Sequence, residues 1–193
     1  MAKRTGSKVT TNKVRLGYVH LFEPYAHKEE QEKKYGLVVL IPKEDTETID
    51  LIKEAQALAA EEGKAKFNGK VLKNLKTTLR DGDTDDSTDL EKNPEYENHY
   101  FINATNKMKP HIVSTMRDEE GRFIEITEES EMYSGCYGRV SLQFFAYNTA
   151  GSKGITCSLQ NVQKVADGER LSGGIGKAED DFDDDYDEED DML

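Results

Sequence analysis

The sequence predicts a mainly β protein with one or two helices, folded as a small β-barrel and followed by a disordered acidic C-terminal tail. Three observations carry this expectation. Apolar residues alternate with period two in several separate stretches, as strands with one buried face require. One stretch, after Asp45, has helical spacing instead. The last fifteen residues, Glu179 to Leu193, hold eleven Asp or Glu and no Lys, Arg or His, so they repel one another and cannot bury a core.

Taking those eleven from the chain's 39 acids leaves 28 against 26 Lys and Arg. The body is therefore near neutral, and the net charge of −13 does not argue against a cationic groove. The 193 residues suit one folded unit. The expected division is a flexible basic N-terminus over residues 1–8, one domain over 9–170, and the tail over 171–193. No apolar run reaches the roughly 18 residues of a membrane span, and the basic start lacks the apolar segment of an export signal. A cytoplasmic protein with no membrane association is expected. Cys136 and Cys157 are too few for a disulfide framework and lack metal-ligand spacing, which leaves them as packed thiols.

Each element follows from local pattern. Lys3, Arg4, Lys8, Lys13 and Arg15 stand together without an acid, either as a solvated terminus or as an arm for phosphates. From Val9 to Phe22 the chain alternates, with Val14, Leu16, Tyr18, His20 and Phe22 on one face; Gly17 predicts a bend or bulge, and Pro24 ends the strand. Tyr35 to Ile41 is a buried strand bounded by Gly36 and Pro42. Asp45 caps a helix whose apolar face is Ile49, Leu51, Ile52, Ala55, Leu58 and Ala59, ending near Gly63. Lys64 to Arg80 is an amphipathic basic stretch. His99 to Thr105 alternates again, followed by a cationic turn with Lys107, Lys109 and His111. Ile112 to Met116 and Arg122 to Thr127 flank Gly121 as a hairpin.

Asp81, Asp83 and Asp85 invite a calcium reading. The register then requires Gly where Asp86 stands and a bidentate Glu where Lys92 stands, so a plain acidic loop is expected and no metal. There is no phosphate loop, nucleophile elbow or helical His pair, so no catalytic residues are assigned.

The clearest two-sided pattern is a hairpin between Tyr137 and Val165. Val140, Leu142, Phe144, Ala146, Ile155, Cys157 and Leu159 form its core face. The other face holds Arg139, Ser141, Gln143, Phe145, Tyr147, Thr156, Ser158 and Gln160, with Lys153 at the turn. Rings among short neutral polar groups, with cations at the ends, suit a platform on which bases stack while phosphates meet Arg139 and Lys153. The alternative is that Phe145 and Tyr147 pack beneath a neighbouring loop.

Tyr133-Ser134-Gly135-Cys136-Tyr137-Gly138-Arg139, Phe144-Phe145-Ala146-Tyr147 and Gly154-Ile155 through Lys164, together with Leu16-Gly17-Tyr18 and Phe22-Glu23-Pro24, resemble the bacteriophage single-stranded DNA-binding proteins of the DUF2815 family. The resemblance implies an OB-fold DNA-binding domain, a five-stranded barrel with an intervening helix. It implies sequence-independent binding of single strands in phage replication, recombination or repair, without a cofactor, in the host cell cytoplasm. The DNA-binding candidates are Lys13, Arg15, Tyr18, Phe101, Lys107, Lys109, Arg139, Phe145, Tyr147 and Lys153.

The same resemblance implies that the tail recruits replication or recombination proteins and competes with DNA. Phe182, Tyr186, Met192 and Leu193 are its apolar contact points, and the Met-Leu end departs from the Pro-Phe end of bacterial relatives. Double-stranded DNA as a further ligand and a homo-oligomer stay open. Two other classes also stay open, a metal-dependent nuclease using carboxylates and an acidic interaction module or DNA mimic.

Overall fold

The computed structural model describes residues 1–71, 75–149 and 151–171. Its strands are β1 (Lys3–Thr5), β2 (Lys8–Thr10), β3 (Val14–Tyr25), β4 (Lys34–Pro42), β5 (Arg80–Asp81), β6 (His99–Asn106), β7 (His111–Arg117), β8 (Phe123–Glu125), β9 (Tyr137–Thr149) and β10 (Ser152–Ala166), and its helix is α1 (Thr46–Glu62). Five of these strands close a barrel in the order β9-β3-β4-β6-β10, with β9 pairing back onto β10. All pairs in the ring are antiparallel except β6 with β10, which run parallel at Thr105 and Ser158. This is the OB-type, five-stranded barrel with an intervening helix that the family resemblance implies.

The alternation of β9 and β10 gives the barrel one wall directly. Val140, Leu142, Phe144, Ala146, Ile155, Cys157 and Leu159 are all buried. Burial raises the Cys157 thiol pKa to about 12, as a packed and unreactive cysteine requires. Helix α1 starts where Asp45 Oδ1 accepts from the Thr48 amide at 3.2 Å and stops at Gly63. Its buried Ile49, Ile52, Ala55 and Ala59 join the barrel core, and the helix lies against β9 and β2.

Strand β3 departs from strict alternation. Val14 and Leu16 point into the core, but so does Leu21, and Tyr18 is turned out to solvent. The register against β4 slips between Gly17 and His20, and Tyr18 carries φ of 45°. The predicted bulge therefore falls on Tyr18 rather than on the glycine, and one inserted residue reverses the side-chain phase beyond it.

Strand β4 is buried on both faces. Leu37, Val39 and Ile41 join the barrel core, while Val38 and Leu40 form a second cluster with Tyr96 and Phe101. Residues 82–98 thus cover part of the outer barrel face.

Residues 1–8, expected as a flexible terminus, are tied into the sheet instead. Strands β1 and β2 pair, and β2 continues the sheet from β9. Val9 is fully buried, and the Ala2 amide donates to Glu47 of α1 at 3.3 Å. One apolar anchor between basic residues suffices to order a hairpin that charge alone would leave frayed. At the other side of the sheet, β7 pairs β10 and β8 pairs β7. The tail candidates Phe182, Tyr186, Met192 and Leu193 lie outside the described residues.

Candidate nucleic-acid interface

Cross-strand partners share a face, which allows the outer barrel surface to be traced residue by residue. Gly36 of β4 faces Thr105 of β6, Thr105 faces Ser158 of β10, and Ser158 faces Gln143 of β9. Beside this row, Asn103 stands opposite Val38, and Thr156 stands opposite Phe145. The strip contains no charged side chain. At about 4.8 Å between strands, four strands span roughly 15 Å.

Aromatic groups stand at both ends. At the β3–β4 end is a groove of about 630 Å³ lined by Tyr18, His20, Tyr25, His27, Lys34, Tyr96, Asn103 and Thr105, among others. The His20 and Tyr25 rings stack at 4.3 Å with planes 8° apart, and His27 meets Tyr25 edge-on at 5.2 Å. Partial burial, reinforced by His27, lowers the His20 pKa, so near neutrality it presents a flat uncharged ring. The Tyr18 hydroxyl donates to Asn93 Oδ1 at 3.0 Å while 45% of the residue stays exposed.

At the β9–β10 end, Phe145 is 41% exposed. Tyr147 lines a hollow of about 680 Å³ with Lys76, Arg80, Asp85 and Thr156. Lys153 is exposed at the adjoining turn. Phe145 is therefore available as a platform, as the alternation predicts, and Tyr147 is half-buried beside it.

The other candidates fall elsewhere. Phe101 is 2% exposed, with Tyr96 edge-on at 5.0 Å and the Arg80 guanidinium 4.9 Å from its ring centre. Its strand pattern turned it outward correctly, but residues 82–98 fold over it, so it is not at the surface. Arg15 donates to the Glu169 carbonyl at 2.8 Å and the Gly135 carbonyl at 3.3 Å, and with Lys13 it stands over the Tyr137 ring. Its first duty is to hold the chain's exit. Lys107 pairs with Glu32 at 2.9 Å at the groove, and Lys109 lies over Phe22. Arg139 donates to the Thr11 and Met1 carbonyls at 3.0 and 2.8 Å and faces a separate trough.

The Asp81–Asp89 loop is engaged in ion pairs. Lys43 meets Asp81 at 2.7 Å and Asp83 at 2.6 Å, and Arg80 grips both oxygens of Asp85 at 2.7 Å. These hydrogen-bonded partners hold the Asp83 and Asp85 carboxyls below the usual range. The last described residue, Leu171, packs with Val38 and Leu40 beside Gly17. The chain therefore leaves for its acidic segment next to the aromatic groove.

Tyr25, His20, Lys34 and Arg80 also line these surfaces, although the sequence pattern does not single them out as site candidates. Tyr25 was hidden because Pro24 ends the alternation, although the strand itself runs to Tyr25. Arg80 closes the basic stretch Lys64 to Arg80, which was the available signal.

A family model described as "Enterobacter phage Enc34, ssDNA-binding protein" matches residues 7–193. The chain is 30% identical over 187 residues to "Putative protein p50" of Acyrthosiphon pisum secondary endosymbiont phage 1, covering 92% of this chain and 93% of that protein. Among solved structures it is similar to the single-stranded DNA-binding protein from bacteriophage Enc34 in complex with ssDNA, with TM-score 0.72 and 24% identity over 89% of this chain and 97% of that one. It is also similar to gp2.5, a single-stranded DNA-binding protein encoded by bacteriophage T7, with TM-score 0.53 and 16% identity over 92% of this chain and 99% of that one.

Proposed function

The chain belongs to the family of the Enterobacter phage Enc34 ssDNA-binding protein, and from that premise we propose that it binds single-stranded DNA on the uncharged outer strip of its barrel. Bases stack on Phe145 and Tyr147 at one end and against Tyr18 and Tyr25 at the other. Phosphates meet Lys34, Lys76 and Lys153. The single observation that carries this reading is the neutral polar row Thr105, Ser158 and Gln143 between two aromatic ends. A surface meant only for water would mix Glu and Lys there. Stacking tolerates any base because every base has a π-face, so binding is independent of sequence.

The protein acts without catalysis or cofactor, protecting strands during phage replication, recombination or repair in the host cytoplasm. The acidic segment 179–193 competes with DNA and recruits replication or recombination proteins through Phe182, Tyr186, Met192 and Leu193. Its competition is helped by the exit at Leu171, since the eight residues to Glu179 reach at most about 28 Å.

The test is titration of a fluorescent oligonucleotide of about 30 bases across salt. The three named phosphate contacts predict a log–log slope near −2.1, at about −0.7 per contact. Phe145→Ala should weaken binding by roughly 1–3 kcal/mol without lowering the melting temperature. Removing residues 179–193 should tighten binding, most at low salt. A full-length protein that binds no oligonucleotide, or Phe145→Ala with wild-type affinity, overturns the reading.

A further inference from the structure

The cations of the N-terminal hairpin are brought by the fold to a surface beside the barrel strip, with Lys8 opposite Gln143 at the strip's edge. A trough of about 780 Å³ lies between the β1–β2 hairpin and the β7–β8 hairpin, floored by β9 and β10. Lys3, Lys8, Arg117 and Arg139 line it with the neutral Thr5, Thr10, Ser141, Asn161 and Gln163, and none of its described lining residues is Asp or Glu. None of the four cations has an ion-pair partner among the described residues, whereas Arg4, outside the lining, is paired with Glu54 at 3.1 Å. Arg139 is fixed by two backbone carbonyls, which orient its guanidinium without neutralising it.

One ring belongs to the trough. Phe123 of β8 is 40% exposed and carries the Arg117 guanidinium 3.7 Å from its centre. Arg117 donates to the Gly121 carbonyl, so its charge too stays uncompensated. The nearby carboxylate of Glu125 is occupied by His111 Nδ1 at 3.0 Å.

The trough adjoins the barrel strip where Lys8 stands opposite Gln143, and a bulge in β10 turns the one away from the other. The register of β10 against β9 shifts between Leu159 and Val162, so Thr156, Ser158 and Gln160 face outward before it and Asn161 and Gln163 after it. The first half of β10 pairs β6 and the second half pairs β7. A bulge bends a strand and re-aims its faces.

We propose that this trough is a second nucleic-acid site, which holds the phosphates of a second segment of single-stranded DNA while the first lies on the barrel strip. The inference rests on the barrel strip being the first site. Four unneutralised cations with short neutral hydrogen-bonding groups and one exposed ring match a sugar-phosphate backbone with an occasional base. One chain then bridges two segments of DNA. Four contacts give the second site its own salt slope of about −2.8, a roughly fiftyfold loss between 50 and 200 mM salt.

The experiment uses full-length protein and two non-complementary 10-base oligonucleotides, one carrying a donor dye and one an acceptor. Wild-type protein should bind two oligonucleotides per chain and give energy transfer. Lys8→Glu/Arg117→Glu should keep one oligonucleotide within about twofold of wild-type affinity and lose the second together with the energy transfer. Phe145→Ala/Tyr147→Ala should lose the other. Should the charge reversals disturb folding, seen as a lowered melting temperature, Lys3→Ala/Lys8→Ala gives the same comparison, with the second-site slope reduced by about 1.4.

Saturation at one oligonucleotide per chain overturns the second site and leaves the barrel reading standing; no binding of any oligonucleotide overturns both. Equal weakening of the first oligonucleotide by the trough and barrel variants makes the trough an extension of the first site and overturns the proposal. It is likewise overturned, in favour of an acidic-peptide site, if a synthetic peptide of residues 179–193 binds the trough and the second oligonucleotide does not.

Discussion

Arg80 stands with its guanidinium carbon 4.9 Å from the centre of the Phe101 ring and grips Asp85 by two hydrogen bonds of 2.7 Å. One residue thus caps the aromatic group that β6 turns outward and keeps its charge occupied by a carboxylate. Arg80 and Asp85 both line the hollow beside Tyr147, so incoming phosphate and Asp85 compete for the same guanidinium. Asp85→Asn should release that charge. Single-strand affinity is expected to rise a few-fold at low salt, with the log–log slope steeper by about 0.7 for one added contact. An unchanged slope would mean that Arg80 never meets phosphate.

The same ion pairs set the acid limit of the fold. Hydrogen-bonded cations hold Asp83, Asp85 and Asp167 below the usual carboxylate range, and backbone amides do so for Asp118. A depressed carboxyl contributes stability that is present above the unfolded value of about 3.9 and is lost as pH falls through the folded values. Melting temperature should therefore decline gently as pH falls from about 7 to 5, where the lowered His20 pKa means that the unfolded chain takes up a proton first, and drop more steeply below pH 4. Asp85→Asn should start lower at neutral pH and fall less steeply. A curve flat to pH 2, or an equally steep variant, would contradict this.

The parts of the fold visible in the sequence are those whose packing partners are local. Strands β9 and β10 announce their core and platform faces because each side chain's environment follows from its parity, and Asp45 and Gly63 mark the ends of α1. The hidden parts depend on residues distant in the chain. Phe101 lies outward on β6, yet whether that face meets water was decided by Tyr96 and Arg80 on a covering segment. Lys3 and Lys8 read as a loose basic arm until Val9 anchored them opposite Arg117, more than a hundred residues away. In β3 the core phase reverses at Tyr18, a cost in backbone strain that composition does not announce.

Gly154 illustrates how the platform depends on backbone clearance. A Cβ there would lie 2.5 Å from the Lys76 carbonyl and 2.9 Å from the Tyr147 hydroxyl. Lys76 bridges to this position, and its carbonyl accepts from the Ile155 amide at 2.8 Å. Gly154→Ala must push away one neighbour or both, an overpacking cost of about 1–3 kcal/mol. Lower thermal stability is expected together with weaker single-strand binding, because Tyr147 moves with the clash. Gly151→Ala at the same turn provides the contrast: its φ of 86° is strained for alanine, but the added Cβ meets nothing within 4 Å. It should lower stability and leave affinity unchanged. Equal affinity losses in the two variants would show that the Tyr147 clash is not what matters.

Tyr18 separates stability from function at a single residue. Its φ of 45° lies in the left-handed region, which costs a non-glycine residue about 1–3 kcal/mol, and its ring is half-exposed in the groove rather than buried. Strain retained at an exposed aromatic group is what a ligand contact would preserve and packing would not. Tyr18→Ala keeps the strained backbone and loses both the ring and the hydrogen bond to Asn93, so stability and single-strand affinity should both fall. Tyr18→Gly loses the same contacts but relieves the strain, and it should be about 1 kcal/mol more stable than the alanine variant, net of glycine's greater unfolded-state freedom. Both variants should share the same loss of affinity, about 1–3 kcal/mol for one stacked base. Glycine restoring affinity along with stability would place the role of Tyr18 in the barrel's shape rather than in contact with DNA.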